Sequence, residues 1–85
     1  MDIFVGNLSW GATSEEVQTA FEEYGRVQSV RLMKEPDSGR ARGFGFVAMP
    51  EDSEATAAIE GLEGKEFKGR VLRVDEARSR AGRNG

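Results

Sequence analysis

Cysteine and histidine are both absent from this chain of 85 residues. Without cysteine there is no disulfide framework and no thiolate for zinc, and without histidine the commonest general base and metal ligand is missing too. Enzyme chemistry would have to rest on carboxylates, lysine or hydroxyls, and no metal or cofactor is implied. Long apolar runs are lacking as well, and the amino terminus has no basic-then-apolar signal pattern. The expectation is a soluble, unexported protein, cytoplasmic and without a membrane partner. The length fits one small domain with one core.

Net basic charge is also lacking: the chain carries 12 bases against 15 acids, a formal charge of −3. The deficit is local. The stretches 14–24 and 51–63 hold nine acids (Glu15, Glu16, Glu22, Glu23, Glu51, Asp52, Glu54, Glu60 and Glu63) and no base, so the remainder has six acids against all 12 bases, a balance of +6. Because partners respond to local rather than total potential, an acidic back and a basic front suit an anionic polymer bound in one orientation.

Hydrophobic periodicity predicts strand, helix, two strands, helix and strand. Residues 2–6 form an apolar run with Ile3 and Val5 on one face and Phe4 on the other. Thr13 opens a helix with Glu16 at capping-box spacing, Val17, Ala20, Phe21 and Tyr24 form its apolar stripe, and Gly25 ends it. Residues 27–33 alternate, with Val30 and Leu32 inward and Ser29, Arg31 and Met33 outward. Pro36 to Gly39 make a turn bordered by Lys34, Arg40 and Arg42, and Pro50 stops the next strand. A second stripe, Ala55, Ala58, Ile59 and Leu62, repeats the first. Residues 70–75 are read as the last strand, with Leu72 and Val74 inward and Val71, Arg73 and Asp75 outward. The domain spans 1–77, and 78–85 form a basic tail with Arg78, Arg80 and Arg83, expected to be disordered.

The octamer RGFGFVAM, residues 42–49, carries the chemistry. Period-two alternation projects Arg42, Phe44 and Phe46 from one face and Gly43, Gly45, Val47 and Met49 from the other. Rings offer flat surfaces on which nucleobases stack, and a guanidinium pairs with phosphate through its planar fork. Taken alone, two phenylalanines in an apolar run are more often buried. Two short helices, however, cover only one face of a four-stranded sheet. The glycines at 43 and 45 are expected on the covered face, where they let a helix approach, leaving the phenylalanine face open.

The hexamer IFVGNL, Ile3 to Leu8, and the octamer together resemble the paired signature motifs of the RNA recognition motif family, over residues 2 to about 77. With its short tail the chain is similar to small bacterial proteins carrying a single such motif. The resemblance implies an α+β, ferredoxin-like βαββαβ sandwich whose four-stranded antiparallel sheet is backed by two helices. It implies single-stranded RNA as partner, with single-stranded DNA as a further candidate, bound by a monomer. Phe4 and Phe46 would each stack a base, Phe44 would wedge against sugars and Arg42 would contact phosphate. Arg31, Met33, Arg73 and Asp75 could reach bases at the edges, and Asn7 could touch RNA or shape its loop, the commoner role of asparagine there. Trp10, between the first strand and helix, is expected to be partly buried. Met49 departs from the aromatic that usually ends the octamer, on the side facing the core.

Two other classes compete. A protein-binding variant of the same family would use acidic helices and an Arg-x-Phe segment, partly matched by Lys65-Glu66-Phe67, but generally lacks the sheet aromatics. An acylphosphatase on this fold needs an arginine in the loop after the first strand, and Gly6 to Gly11 has none.

Overall fold

The computed structural model describes residues 1–9, 11–34 and 41–77. In chain order these form β1 (Asp2–Gly6), α1 (Ser14–Glu22), β2 (Ser29–Lys34), β3 (Ala41–Ala48), α2 (Asp52–Leu62), β4 (Glu66–Phe67), β5 (Arg70–Val71) and β6 (Arg73–Glu76). Four strands make one antiparallel sheet in the order β2-β3-β1-β6, so the strands carrying the hexamer and the octamer lie side by side at its centre. Trp10, the turn at 36–39, Arg40 and the tail 78–85 lie outside the described residues, as does the side chain of Arg42.

The helices form where the sequence places them. Thr13 caps α1: its hydroxyl accepts from the Glu16 N–H at 3.1 Å, and the Glu16 carboxylate accepts from the Thr13 N–H at 3.0 Å. Val17 and Phe21 of α1 and Ala55, Ala58 and Leu62 of α2 are buried together with Ile3, Val5, Val47, Leu72 and Val74 of the sheet region. Both helices therefore cover the same face, α1 beside β2 and α2 beside β6. Met49 is fully buried, and the departure from an aromatic there concerns packing, as expected.

Two expectations need correction. The glycines of the octamer do not make room for a helix. A Cβ on Gly45 would stand 2.5 Å from the Arg31 carbonyl oxygen and 2.7 Å from Leu32 Cδ2, so the missing side chain admits the neighbouring strand β2. Gly43 has φ 92°, where a side chain is strained, and sits where the pairing of β2 with β3 shifts, between Leu32↔Gly45 and Lys34↔Ala41.

The second correction concerns residues 70–75, which do not form one strand. Arg70–Val71 pairs with Glu66–Phe67 in a separate hairpin, while Arg73–Glu76 joins β1. The break is at Leu72, whose side chain is buried and whose N–H and C=O bond the Lys65 carbonyl and the Gly64 N–H at 2.8 and 3.0 Å. Lys68 and Gly69 make the hairpin turn, both with positive φ (51° and 86°), as a two-residue loop of matching twist requires.

Lys68 ties this hairpin to α1 by donating to Glu16 at 3.0 Å. That bond, followed by the one from the Thr13 backbone, holds the Glu16 carboxyl below its ordinary value. Folding then releases a proton in the acidic range, so the contribution is present above the usual carboxylate pKa near 4.5 and is lost as pH falls below it. Acid titrations of stability should accordingly be shallower for Glu16→Gln than for the parent. Thr13→Ala should lose about 1 kcal/mol in urea unfolding at neutral pH through the missing cap.

Candidate nucleic-acid interface

Burial along β3 alternates as a two-faced strand must: Phe44 and Phe46 are half-buried while Gly45 and Val47 are buried. Phe4 on β1 is likewise half-buried between buried Ile3 and Val5. Register partners share a face in an antiparallel sheet, so one row crosses the uncovered side as Arg31, Phe46, Phe4 and Asp75. A second row holds Phe44, Gly6 and Arg73.

The three rings form a nearly equilateral cluster. Centroids are 6.1 Å apart for Phe4 and Phe44, 6.0 Å for Phe4 and Phe46, and 6.1 Å for Phe44 and Phe46, with interplanar angles of 28°, 63° and 86°. Mutual packing of edges explains why each ring is half-buried without entering the core. Gly6 is part of this arrangement: a Cβ there would lie 2.8 Å from the Phe4 ring, so the ring leans along β1 over Gly6 and a side chain at that position would displace it. Sequence reasoning missed this role, although a glycine two residues from a surface aromatic on the same face was its signal.

Charged groups sit around the rings. Arg31 is exposed beside Phe46, and the two line a shallow concavity with Asp2 and Ser29. Met33 is half-buried on β2 at the shift of register. Arg73 is exposed, with Nε 3.6 Å from Glu63 Oε2, and Glu63 also accepts from the Val74 N–H. Asp75 is exposed and accepts the Glu76 N–H at 2.8 Å. Phe4, Gly6, Asn7, Glu63, Arg73 and Asp75 line a concavity of about 380 Å³ at this end of the face. Among the described residues no group of three or more metal-ligating side chains converges.

Asn7 is engaged on both sides of its amide. With φ 59° it turns the chain out of β1, its Nδ2 donates to the Val71 carbonyl, and its Oδ1 accepts from Arg70 Nη2 at 2.6 Å. Arg70 Nε donates in addition to the Asn7 carbonyl at 3.3 Å. These bonds clamp the loop after β1 to the hairpin, which is the loop-shaping role. Arg70 was not anticipated, because the contact spans 63 residues and leaves no local pattern.

A separate apolar groove of about 600 Å³ lies on the other side of the molecule, between α1 and the hairpin. Ala20, Leu62 and Phe67 form its floor and Glu15, Glu16, Glu23 and Lys68 its rim. Phe67 is half-buried against the core.

Comparison with known proteins agrees with this geometry. The family model of the RNA recognition motif matches residues 3–73, and the chain belongs to that family. RbpB of Nostoc sp., named as a candidate RNA-binding protein, is 51% identical over 85 residues, covering 100% of this chain and 82% of the relative. RbpA of Synechocystis sp., named in the same way, is 47% identical over 85 residues, covering 100% and 84%. The crystal structure of RNA-binding protein PG1 superposes with a TM-score of 0.89 at 44% identity, covering 94% of this chain and 96% of that one. The SXL-lethal protein solved in complex with RNA matches with a TM-score of 0.86 at 26% identity, covering 92% and 47%.

Removing the clamp provides a test of its weight. Asn7→Ala deletes both amide bonds and forces alanine into a left-handed conformation, and should lower stability by about 1–2 kcal/mol in urea unfolding. Asn7→Gly should recover only the conformational part. Unchanged stability in both variants would mean that the loop is held by other contacts.

Proposed function

We propose that this protein binds single-stranded RNA across the uncovered face of its sheet, as a binding module and not as an enzyme. The single observation that carries the reading is the cluster of Phe4, Phe44 and Phe46 on the face that neither α1 nor α2 covers. Phe4 and Phe46 each stack a base, Phe44 packs against sugars between them, and Arg42 contacts phosphate. Arg31, Met33, Arg73 and Asp75 lie at the edges of this platform and contact bases there, while Asn7 shapes the adjoining loop. Membership of the RNA recognition motif family and relatives named for RNA binding support the reading.

Two stacks and a few phosphate contacts would hold about two to four nucleotides with micromolar or weaker affinity, since each stack supplies about 1–3 kcal/mol. Single-stranded DNA is a secondary ligand. A monomer acting in the cytoplasm on RNA folding or message turnover suits so small a site. The arginines of the tail at 78–85 add electrostatic affinity without reading sequence.

Phe46→Ala separates platform from core. It should weaken binding of a short RNA oligomer by about 1–3 kcal/mol while costing less stability than Phe21→Ala, for which a buried phenylalanine sets about 3–5 kcal/mol. Equal destabilisation by the two, with undiminished RNA affinity of folded Phe46→Ala, would refute the platform.

Salt divides positioning from stacking. If about three to five cations neutralise phosphates, log K against log salt should fall with a slope of about −2 to −3.5, at roughly −0.7 per contact. Deleting residues 78–85 should flatten the slope and leave the ranking of RNA sequences unchanged. A reordered ranking would show instead that the tail reads bases.

A further inference from the structure

We propose that the Phe4 end of the face selects guanine, with Asp75 as the residue that reads it; the inference rests on the RNA-binding reading above. Asp75 is the cross-strand partner of Phe4, so its carboxylate stands beside the ring on the same face. The Glu76 N–H holds Oδ1 at 2.8 Å and fixes the orientation of the group. None of the ion pairs among the described residues includes Asp75. A held anion on a surface for a polyanion repels phosphate and is better matched by the hydrogen-bond donors of a base.

An ionised carboxylate only accepts, through two oxygens side by side. Guanine presents two parallel donors, N1–H and the N2 amino group, which match that geometry. Adenine and cytosine offer one amino donor beside a ring-nitrogen acceptor, and uracil offers one N–H between two carbonyls. Each of these three sets a lone pair against the carboxylate, and an unmatched polar contact discriminates more strongly than a missing methylene.

The other side of the platform is complementary. Phe4 leans over Gly6, and the partner of Gly6 is Arg73. The ring is thus flanked by an acceptor in its own row and a donor in the next. Arg73 is held by Glu63, itself engaged by the Val74 N–H, so the exposed guanidinium is positioned to donate to the acceptors O6 and N7 of the same base. Donor-rich and acceptor-rich edges together occur on guanine. At the Phe46 end the row closes with Arg31, and Asp2 borders that end from the neighbouring row with Ala48 and Ser29, so the carboxylate that directly pairs with a ring is the one at the Phe4 end.

The test uses the full chain and four RNA hexamers, one all uridine and three with a single central guanosine, adenosine or cytidine. Fluorescence anisotropy should show the guanosine oligomer binding about tenfold more tightly than the others, the size expected of one good bidentate contact. Asp75→Asn should reduce that preference to threefold or less and tighten binding of the uridine oligomer, because the repelling charge is gone. Phe4→Ala should weaken all four. An undiminished guanosine preference in Asp75→Asn would overturn the assignment. A base-blind parent whose binding still falls in Phe4→Ala would refute guanine reading while leaving the RNA platform intact. Binding of all four that is indifferent to both Phe4→Ala and Phe46→Ala would refute the platform itself.

Discussion

The register between the two central strands is the constraint on which the rest of the molecule depends. Ile3 opposite Val47 and Phe4 opposite Phe46 are successive pairs of one ladder. Side chains alternate with period two, so a slip of β1 by one residue would send Phe4 into the core and expose Ile3 and Val5, while Phe46 stayed on the outer face. Burying an aliphatic side chain stabilises by about 1.5–3 kcal/mol, and Ile3, Val5 and Val47 are each essentially inaccessible to solvent, so the core enforces the register strongly. The outer face inherits this precision without contributing to it. Its rings lie about 6 Å apart because the inner face packs correctly.

A binding face with an open edge would be vulnerable to pairing with another chain, and the β6 side is managed. Glu63 takes the Val74 N–H, while Gly64 and Lys65 take both backbone groups of Leu72. The segment leaving α2 thus covers the edge of the last strand and sets its break at Leu72. The Asn7 to Arg70 clamp then joins the resulting hairpin to the loop after β1, and Lys68 joins the same hairpin to α1. Contacts distant in sequence converge on six residues, Glu66 to Val71. The hairpin is accordingly a brace between the end of β1 and the first helix.

Local patterns made most of this legible. The Thr13 to Glu16 cap, the two apolar stripes and the alternation of β1 are short-range signals, and each reappears as the corresponding element. The pair of aromatic strands at the centre of the sheet was legible through resemblance to a family. What escaped was non-local. The pattern of Gly45 suits a helix contact, but the atoms it avoids belong to β2, because a sequence does not display which neighbour comes closest. Residues 70–75 read as one strand because Leu72 fits the alternation. It is nonetheless bonded to residues 64 and 65, and the Lys68-Gly69 pair was the turn signal that marked the alternative. Arg70 and Glu63 carry no mark of their roles at all, since their partners lie far along the chain or in a neighbouring element.

The distribution of charge follows from the same two-sided construction. The two helices on the covered side, with the cap of α1, can carry Glu15, Glu22, Glu23 and Glu60 at little cost to a ligand on the far side of the sheet, because at ordinary ionic strength screening acts over roughly 8–10 Å. Net charge is therefore a poor guide to the outer face, where the arrangement of single groups matters. Across that face one row runs cation, ring, ring, anion, from Arg31 to Asp75. A symmetric polyanion site would place cations at both ends. An asymmetric row would give a bound polymer two different surroundings for two successive bases, and would so tie the direction of the strand to the chemistry of each base. Aromatic stacking is indifferent to base identity, whereas charged groups at the ends of such a row are not, so on the proposed platform discrimination would arise there without altering the rings.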